Sequence, residues 1–308
     1  MPEGTPGGGP TRSGSPGDPW VHLDGRLQRR SEARVSVRDR AFRYGEGLFE
    51  TMRARGLKAF RFESHLSRLA ASARIIGWDL PWERADLTSA VAEVLAANGL
   101  VEARVRLQAS PGPGGPDGGD GPPTLLVEVE PFVPISSAVR RCGVGVRIAP
   151  HRRPRRSATS GAKTVAYLES VLARRAARRE GAFEALWLDE SDHLCEAAMA
   201  NVFAVVAGQL RTPPLEGGAL AGITRGVVLE LARAAGRPEA SEAAVPLDDL
   251  LAAEEVFLTS TGVEVLPVAA VDGRPVGDGR PGPITRHLAR AYRDAVEREI
   301  GTCGRHDV

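Results

Sequence analysis

Two stretches rich in glycine and proline limit where this chain of 308 residues can form ordered structure. Residues 1–19 contain six glycines and five prolines, and residues 110–123 have the same content. Such segments bury too little apolar surface to offset the entropy lost on ordering. The first stretch is therefore predicted to be a disordered tail. The second is predicted to be a long, mobile hairpin loop, because strand-like runs at residues 103–109 and 124–130 flank it.

The segment between these stretches mixes short strands with amphipathic helices. Strands are predicted at residues 21–23, 34–37, 50–54 and 59–62. Apolar residues three and four apart predict one helix that begins near Phe62 and a second over residues 84–98, which ends at Gly99. Together with the two strands around the glycine-rich loop, these elements predict a small α+β domain over residues 20–130.

The second half of the chain has a similar mixture and follows a predicted connection at residues 131–143. Strands are predicted at residues 144–149, 182–188, 194–206, 255–259 and 265–268. Helices are predicted at residues 164–180, at residues 225–235 and from Pro283 onward. Strands and helices do not alternate regularly, which argues against a Rossmann fold. The pattern predicts a larger domain over residues 144–302 and an α+β fold class for the whole chain.

Charge and composition narrow the classes of function. The 40 basic and 39 acidic residues nearly cancel, so no overall field favours nucleic acid or an anionic membrane. No run approaches about 18 apolar residues, and the N-terminus lacks the apolar core of a signal peptide, so a cytoplasmic location is expected. The three cysteines, Cys142, Cys195 and Cys303, are too few and too scattered for a disulfide framework or a zinc site, and no metal is expected.

Lysine is almost absent from this chain. Of the 40 basic residues only Lys58 and Lys163 are lysines. Arginine serves as well as lysine for surface charge, so a remaining lysine is a candidate for chemistry that arginine cannot perform, such as forming an imine. Lys58 lies in a predicted exposed hairpin turn, whereas Lys163 lies among small residues at a predicted junction of loop and helix. Lys163 is therefore the candidate for covalent chemistry.

Several downstream segments are suited to holding a charged ligand. Glu196 is a single acid in an apolar run, and a buried carboxylate needs a cationic or hydrogen-bonding partner. Residues 222–225 precede a predicted helix, whose first amides attract anions. Residues 259–262 offer three hydroxyls at a strand end, and Arg68 offers a bidentate charge. Each segment alone also fits an ordinary helix start, turn or surface residue.

Six motifs, taken in order, resemble those of the class IV aminotransferase family. They cover residues 38–51, 65–69, 163–168, 196–203, 222–225 and 261–267, which span nearly all of the chain after the tail. The family includes branched-chain aminotransferases, D-amino acid aminotransferases and 4-amino-4-deoxychorismate lyases. The resemblance implies the two-domain fold-type IV architecture of enzymes that use pyridoxal 5'-phosphate (PLP), and it implies a homodimer.

The resemblance also implies roles for individual residues. Lys163 is expected to bind PLP as a Schiff base and to move the proton at the substrate α-carbon. Glu196 is expected to pair with the pyridine nitrogen and Tyr167 to contact the ring hydroxyl. Tyr44 is expected to line the substrate pocket. The expected phosphate ligands are Arg68, Ile223, Thr224 and Thr261.

Departures from the family pattern leave the substrate open. The tyrosine-isoleucine-arginine-proline segment of branched-chain enzymes is absent, and residues 103–107 stand in its place. The threonine-arginine-glycine of many relatives is replaced by residues 110–112, which removes a carboxylate-binding arginine. Arg104 or Arg106 is the candidate replacement in the substrate pocket, although strand alternation leaves their direction open.

Three functions remain as hypotheses at this point. The first is amino-group transfer between an amino acid and a 2-oxo acid. The second is the lyase reaction, in which aminodeoxychorismate yields pyruvate and 4-aminobenzoate. The third is a nucleic-acid-binding module that uses the basic run at residues 152–156, which the neutral overall charge makes the weakest of the three.

Overall fold

The computed structural model describes residues 17–119, 121–236 and 239–301. Most of the predicted disordered tail, residues 1–16, and Cys303 lie outside the described residues. The described part of the chain contains two large sheets, each with its own apolar core, and one small two-stranded ribbon. The elements of these sheets fall within the two predicted domains, whose bounds stay a prediction.

The first sheet has six antiparallel strands in the order β2-β1-β8-β5-β3-β4. Its strands are β1 (Trp20–Leu23), β2 (Arg26–Arg29), β3 (Leu48–Arg55), β4 (Lys58–Ala59), β5 (Glu102–Ser110) and β8 (Thr124–Pro131). The accompanying helices are α1 (Arg40–Tyr44), α2 (Phe62–Ile75) and α3 (Arg84–Asn98). Alternate residues of β3 and β5 are buried against α2 and α3, so these two helices cover one face of the sheet.

The glycine-rich segment connects β5 to β8, as predicted, and contains a small ribbon of β6 (Gly114–Gly115) and β7 (Gly118–Gly119). The buried carboxylate of Asp39 ties this connection to α1, because it accepts hydrogen bonds from the hydroxyls of Ser110 and Thr124 and from the Ala41 amide. The connection is therefore anchored to the first domain at both of its ends.

The second sheet contains nine strands. They are β9 (Val144–Ile148), β10 (Glu184–Leu188), β11 (Leu194–Ala197), β12 (Asn201–Val206), β13 (Gln209–Thr212), β14 (Ala240–Glu242), β15 (Glu255–Ser260), β16 (Glu264–Val271) and β17 (Arg274–Pro275). The main order is β11-β10-β9-β16-β15-β12-β13-β14, and β17 pairs with β16. The helices are α4 (Ser137–Cys142), α5 (Leu168–Arg179), α6 (Ile223–Ala235), α7 (Leu247–Leu251) and α8 (Pro283–Ile300), with a 3-10 turn at Leu215–Gly217.

Both faces of the second sheet are buried. Phe203 and Phe257 pack against α6 and α8, whereas their neighbours Val202 and Leu258 belong to a separate apolar cluster on the opposite face. Strand side chains alternate between faces, so continuous apolar strands with two buried faces follow from the sequence. This explains the continuous apolar runs at residues 202–206 of β12 and 256–258 of β15.

Four predicted elements differ from the structure. Residues 34–37 form no strand, and Val35 and Val37 are 48% and 77% exposed, since no neighbouring strand pairs with them. The strand predicted at residues 59–62 ends at Ala59, because Arg61 adopts a left-handed conformation that begins α2. The strand predicted at residues 194–206 divides into β11 and β12, and the helix predicted at residues 164–180 begins at Leu168.

The described residues contain no helix that is long and apolar enough to cross a membrane. Within the same residues there is no group of three or more histidine, cysteine, aspartate or glutamate side chains that could hold a metal ion.

Candidate active site

A cleft of about 590 Å³ lies between the two sheets. Its lining includes residues from β3, β5 and α2 of the first domain and from β11, β12, β15 and the start of α6 in the second. Nine of the ten predicted site residues line it, namely Arg68, Arg104, Arg106, Lys163, Tyr167, Glu196, Ile223, Thr224 and Thr261. Residues far apart in the sequence therefore meet in one place.

Lys163 lies on an extended segment, and the predicted helix start at residue 164 is wrong. The Phe49 amide donates to the Lys163 carbonyl at 3.1 Å, and the Val165 amide donates to the Gly47 carbonyl at 2.8 Å. The segment thus continues the pairing of β3, which a local helix signal cannot reveal. Gly47 permits this approach, since a Cβ there would lie 3.1 Å from the Val165 Cγ2 and 2.8 Å from the Cβ of Ala41 in α1.

The Lys163 amine faces the cleft beside two aromatic rings. Its Nζ lies 4.3 Å from the Phe49 ring centroid and 5.9 Å from that of Tyr167. No carboxylate of the described residues forms an ion pair with it. Two effects lower the pKa of Lys163 to about 8: the larger is the loss of water around the ammonium on burial, and the smaller is repulsion by the nearby charge of Arg68. A neutral amine is therefore accessible near neutral pH, as a nucleophile or base requires.

Glu196 is a buried acid on the wall of the cleft. One carboxylate oxygen accepts from the Arg153 guanidinium at 2.5 Å, and the other accepts from the Leu220 amide at 2.9 Å. Burial raises the pKa of Glu196, and the charge of Arg153 acts in the opposite direction. The break between β11 and β12 places Asn201 beside this acid, and its side-chain amide donates to the Leu220 carbonyl at 2.8 Å.

Arg68 contributes a cation to the cleft and is held by a buried carboxylate. Its Nε and Nη2 donate to the two oxygens of Glu50 at 2.8 and 2.6 Å. His65, one helical turn before it on α2, lies with Nδ1 2.6 Å from Glu50. The Nη1 of Arg68 crosses to the second domain and donates to the Ala221 carbonyl at 3.0 Å.

Helix α6 begins next to Arg68, and no side chain of the described residues caps its first amides. Its N-cap residue is Gly222, and Ile223 and Thr224 follow it on the wall of the cleft. A Cβ on Gly222 would lie 1.9 Å from the Asn201 Oδ1, so the close approach requires glycine. Uncapped amides at the positive end of a helix of 13 residues form a site suited to an anion.

The two threonines of the β15 end differ in how their hydroxyls are used. Thr261 donates its hydroxyl proton to the Thr51 carbonyl at 2.9 Å, which links the two domains and leaves its oxygen free only to accept. Thr259 is buried, lines the cleft and has a hydroxyl with no hydrogen-bond partner in the described part of the chain. A buried polar atom of this kind is suited to an incoming polar ligand.

The arginines of β5 both line the cleft, which settles the direction that the sequence left open. Arg104 is paired with Glu130 and its side chain is 51% exposed. Arg106 lies deeper, with its guanidinium carbon 4.1 Å from the Phe49 ring centroid and a hydrogen bond to the Gln108 side chain as its polar contact. Of these two arginines, Arg106 is therefore the one better placed to bind a ligand carboxylate.

Tyr44 is the one predicted site residue that does not line this cleft. It ends α1, is 44% exposed and stacks near the Arg43 guanidinium at 5.0 Å from the ring centroid. Its short helix is tied to the glycine-rich connection through Asp39. The structure therefore does not bring its ring into the pocket of the same chain.

The basic run at residues 152–156 folds back on an acidic hairpin. Arg152 pairs with Asp192, Arg153 with Glu196 and Arg155 with Asp189. These arginines thus neutralise carboxylates of their own chain, and the last two of those carboxylates are buried. The run has a structural role that the sequence did not predict, because its acidic partners lie about 40 residues away.

Three side chains in or behind the cleft were missed as functional candidates, and of these only Thr259 lines it. Glu50 and Arg153 act on predicted residues through ion pairs that span 18 and 43 positions of the sequence. Thr259 was part of a hydroxyl-rich run, but nothing local separated it from Thr261. For Glu50 the available signal was an acid at the start of a predicted strand.

The polar groups of the cleft fit PLP, which carries a phosphate on one side of its ring and has a pyridine nitrogen on the other. The uncapped start of α6, together with Arg68, matches the phosphate, and the Glu196 carboxylate matches a protonated ring nitrogen. Lys163 lies on the wall of the same cleft, and its amine forms no ion pair with any residue that the structure describes. The orphaned hydroxyl of Thr259 is consistent with a ligand there.

Comparisons with known proteins identify the family. The family described as amino-transferase class IV matches residues 47–271. A putative branched-chain-amino-acid aminotransferase of Methanocaldococcus jannaschii is 35% identical over 279 residues, covering 89% of this chain and 95% of the relative. A D-alanine aminotransferase of Bacillus licheniformis is 33% identical over 281 residues, covering 90% and 96%.

A solved structure agrees with these sequence matches. The branched-chain amino acid aminotransferase of Thermobaculum terrenum in its PLP-form superimposes with a TM-score of 0.82 and 26% identity, covering 92% of this chain and 95% of that one. The resemblance inferred from the six motifs and the predicted fold-type IV architecture are confirmed. The chain belongs to the class IV aminotransferase family and is a PLP-dependent enzyme of amino-group transfer.

Proposed function

We propose that this enzyme transfers the amino group of an amino acid with an apolar side chain to a 2-oxo acid, and that Lys163 is its catalytic residue. The observation that carries the proposal is the Lys163 amine, which has a pKa of about 8 and lies in the same cleft as an anion-binding helix start and a buried acid. No other lysine of the chain competes for the role, since Lys58 is exposed in β4.

When bound, PLP supplies an aldehyde for covalent attachment and a ring that accepts electrons from the substrate α-carbon. The chain supplies the groups that hold it. We assign Glu196 to the pyridine nitrogen and Tyr167 to the ring hydroxyl, and burial raises the pKa of Tyr167 to about 12, so its phenol remains a donor. The assigned phosphate ligands are Arg68, Thr224 and the backbone amides of Ile223 and Thr261, because the hydroxyl proton of Thr261 is already donated to Thr51.

Lys163 has two tasks in this proposal. It holds the cofactor between reactions, and it moves a proton at the substrate α-carbon during them. A pKa of about 8 lets the same amine accept and return that proton near neutral pH. The ring of Phe49 beside it restricts water around the amine.

The substrate carboxylate is assigned to Arg106. Burial lowers the pKa of Arg106 and the charge of the cross-strand neighbour Glu128 opposes this shift, but no carboxylate of the described residues forms an ion pair with the guanidinium. Phe49, Ile135 and Val165 give the surrounding wall an apolar character. An amino acid with an aliphatic side chain matches this wall, in line with the branched-chain and D-alanine substrates named for the two relatives.

We also propose a homodimer in a reducing, cytoplasmic setting. The α1 region exposes Val37 and Phe42 at 77% and 76%, next to Tyr44, and such an apolar surface is typical of a protein interface. A second copy seated there would cover Tyr44, which supports a contribution of that ring to the partner's pocket. The free thiols of Cys142 and Cys195 are compatible with a reducing compartment.

The test is an absorbance spectrum of the purified protein during titration with L- and D-amino acids. We expect a visible band that Lys163→Ala abolishes and Lys58→Ala leaves unchanged, and that one enantiomer of an aliphatic amino acid depletes. Absence of a band after incubation with PLP would refute the assignment. Release of pyruvate from aminodeoxychorismate without an added 2-oxo acid would instead identify the lyase.

A further inference from the structure

The buried ion cluster behind the cleft contains a group for which the proposed reaction has no direct use. Glu50 lies on β3 with no exposed surface, and its carboxylate faces Arg68 and His65 from α2. Burial alone opposes its charge, but the charge of Arg68 and the hydrogen bonds from both partners lower the pKa of Glu50 to about 2. The carboxylate is therefore ionised at neutral pH.

The hydrogen bonds of this cluster leave Arg68 with a defined remaining capacity. A guanidinium has five N–H donors. Two go to Glu50 and one to the Ala221 carbonyl, which precedes the start of α6. Two donors remain, and because the three bonds fix the guanidinium plane, their direction is fixed as well. Burial lowers the pKa of His65, so its neutral ring donates from Nδ1 to the Glu50 carboxylate.

We propose that Glu50 is a positioning residue for phosphate recognition, which holds the Arg68 guanidinium so that its two remaining donors face the cofactor phosphate beside α6. This rests on the proposed role of Arg68. Glu50 itself lies behind the guanidinium and contacts it through both carboxylate oxygens, so it acts through Arg68. A preorganised donor loses less entropy on binding than an arginine that must first be ordered.

The substitution Glu50→Asp isolates position from charge. It keeps the carboxylate but shortens the side chain by one methylene, so the two bonds to Arg68 cannot both form with the present backbone. The readout is the dissociation constant of pyridoxal divided by that of PLP, measured by equilibrium dialysis on cofactor-free protein. A high ratio means a strong preference for PLP. Pyridoxal lacks the phosphate, so the ratio reports phosphate recognition and not the general condition of the fold.

We expect Glu50→Asp to lower the preference for PLP over pyridoxal by about tenfold while pyridoxal binding is retained. In an Arg68→Ala background the same substitution should leave the ratio unchanged, because nothing remains to be positioned. Glu255→Asp is the matched control. That carboxylate is also buried, but it caps α8 through the amides of Ile284 and Thr285, so the ratio should not change.

Other outcomes overturn the proposal in distinguishable ways. An unchanged ratio in Glu50→Asp, or an equal fall in the Arg68→Ala background, would show that Glu50 does not act through Arg68. If Glu50→Asp fails to fold, His65→Phe keeps a ring and removes one donor to Glu50, and it should lower the ratio in the same Arg68-dependent way. A native chain that binds neither pyridoxal nor PLP would refute the proposed function itself.

Discussion

The acidity of Lys163 can be measured directly, because the chain has only two lysines. The substitution Lys58→Arg leaves Lys163 as the single lysine side chain. The pKa of Lys163 is lowered from 10.5 to about 8. At pH 8 about half of its amine is therefore neutral, against about 0.3% for an ordinary lysine, which makes about a 150-fold difference in the reactive fraction.

The assay is trace acetylation of the cofactor-free Lys58→Arg protein with acetic anhydride across pH 6 to 11. Mass spectrometry of the peptide that contains Lys163 separates this amine from the N-terminal one. Only the neutral amine reacts, so labelling should rise with pH and reach its midpoint near pH 8. A midpoint near 10.5 would refute the claim that the cleft disfavours the charged amine.

The cause of the shift can be tested in the same protein. Desolvation is the largest contribution, and the charge of Arg68 is the next. Arg68→Gln removes that charge, so the labelling midpoint should move upward toward the ordinary lysine value. Arg74→Gln is the control, since Arg74 lies on the same helix but is exposed to solvent. Equal midpoints in the two variants would show that Arg68 does not contribute.

Three further predictions concern the cleft. Glu196→Gln should lower kcat by about 100-fold or more with PLP still bound, and an unchanged kcat in steady-state assays would remove its role at the ring nitrogen. Arg106→Gln should raise the KM for the amino acid by about tenfold, whereas the solvent-exposed Arg104→Gln should change it little; equal effects would contradict the assignment. Gly222→Ala should weaken PLP binding in a fluorescence titration, because the new Cβ would lie 1.9 Å from the Asn201 Oδ1. Gly226→Ala on the same helix is the control, since its Cβ would meet nothing within 4 Å and binding should not change.

Elements with strong local signals could be predicted from the sequence. Helix α3 was predicted at residues 84–98 and lies at Arg84–Asn98. A capping box between Glu83 and Asp86 starts it, and Gly99 ends it in a left-handed conformation with φ 60°. Both signals lie within a few residues of the ends they determine, so no tertiary information was needed.

Elements that depend on distant partners could not be predicted in the same way. The segment after Lys163 has a helical composition, but pairing of Lys163 and Val165 with Phe49 and Gly47 keeps its first residues out of the helix, which begins only at Leu168. Val35 and Val37 have the alternation of a strand, but no strand of the described residues pairs with them to bury either side chain. Local propensity is a weak guide wherever tertiary contacts compete with it.

The candidate site is itself a product of such distant contacts. The Arg68 side chain bonds to Ala221 and the Thr261 hydroxyl bonds to Thr51, so two of the assigned phosphate ligands also join the domains. The motif order identified both residues, because motifs report which residues a family keeps. It could not reveal that the same side chains connect the two sheets, since those bonds span 153 and 210 positions.

This double use links cofactor binding to domain contact. Glu264, buried and in a left-handed conformation next to the β15 end, pairs with Arg53 of the first domain and with Arg140 of the connection. Breaking the domain contact would therefore leave buried charges unpaired and would separate Arg68 from the start of α6. A ligand that binds only when the two domains are in contact stabilises that contact. The size of the effect depends on the ratio of the ligand concentration to the dissociation constant of the ligand. The interdomain contacts create the proposed phosphate site, and a bound phosphate stabilises those contacts in return. Cofactor binding and interdomain contact are therefore thermodynamically coupled, so a change that weakens one should weaken the other.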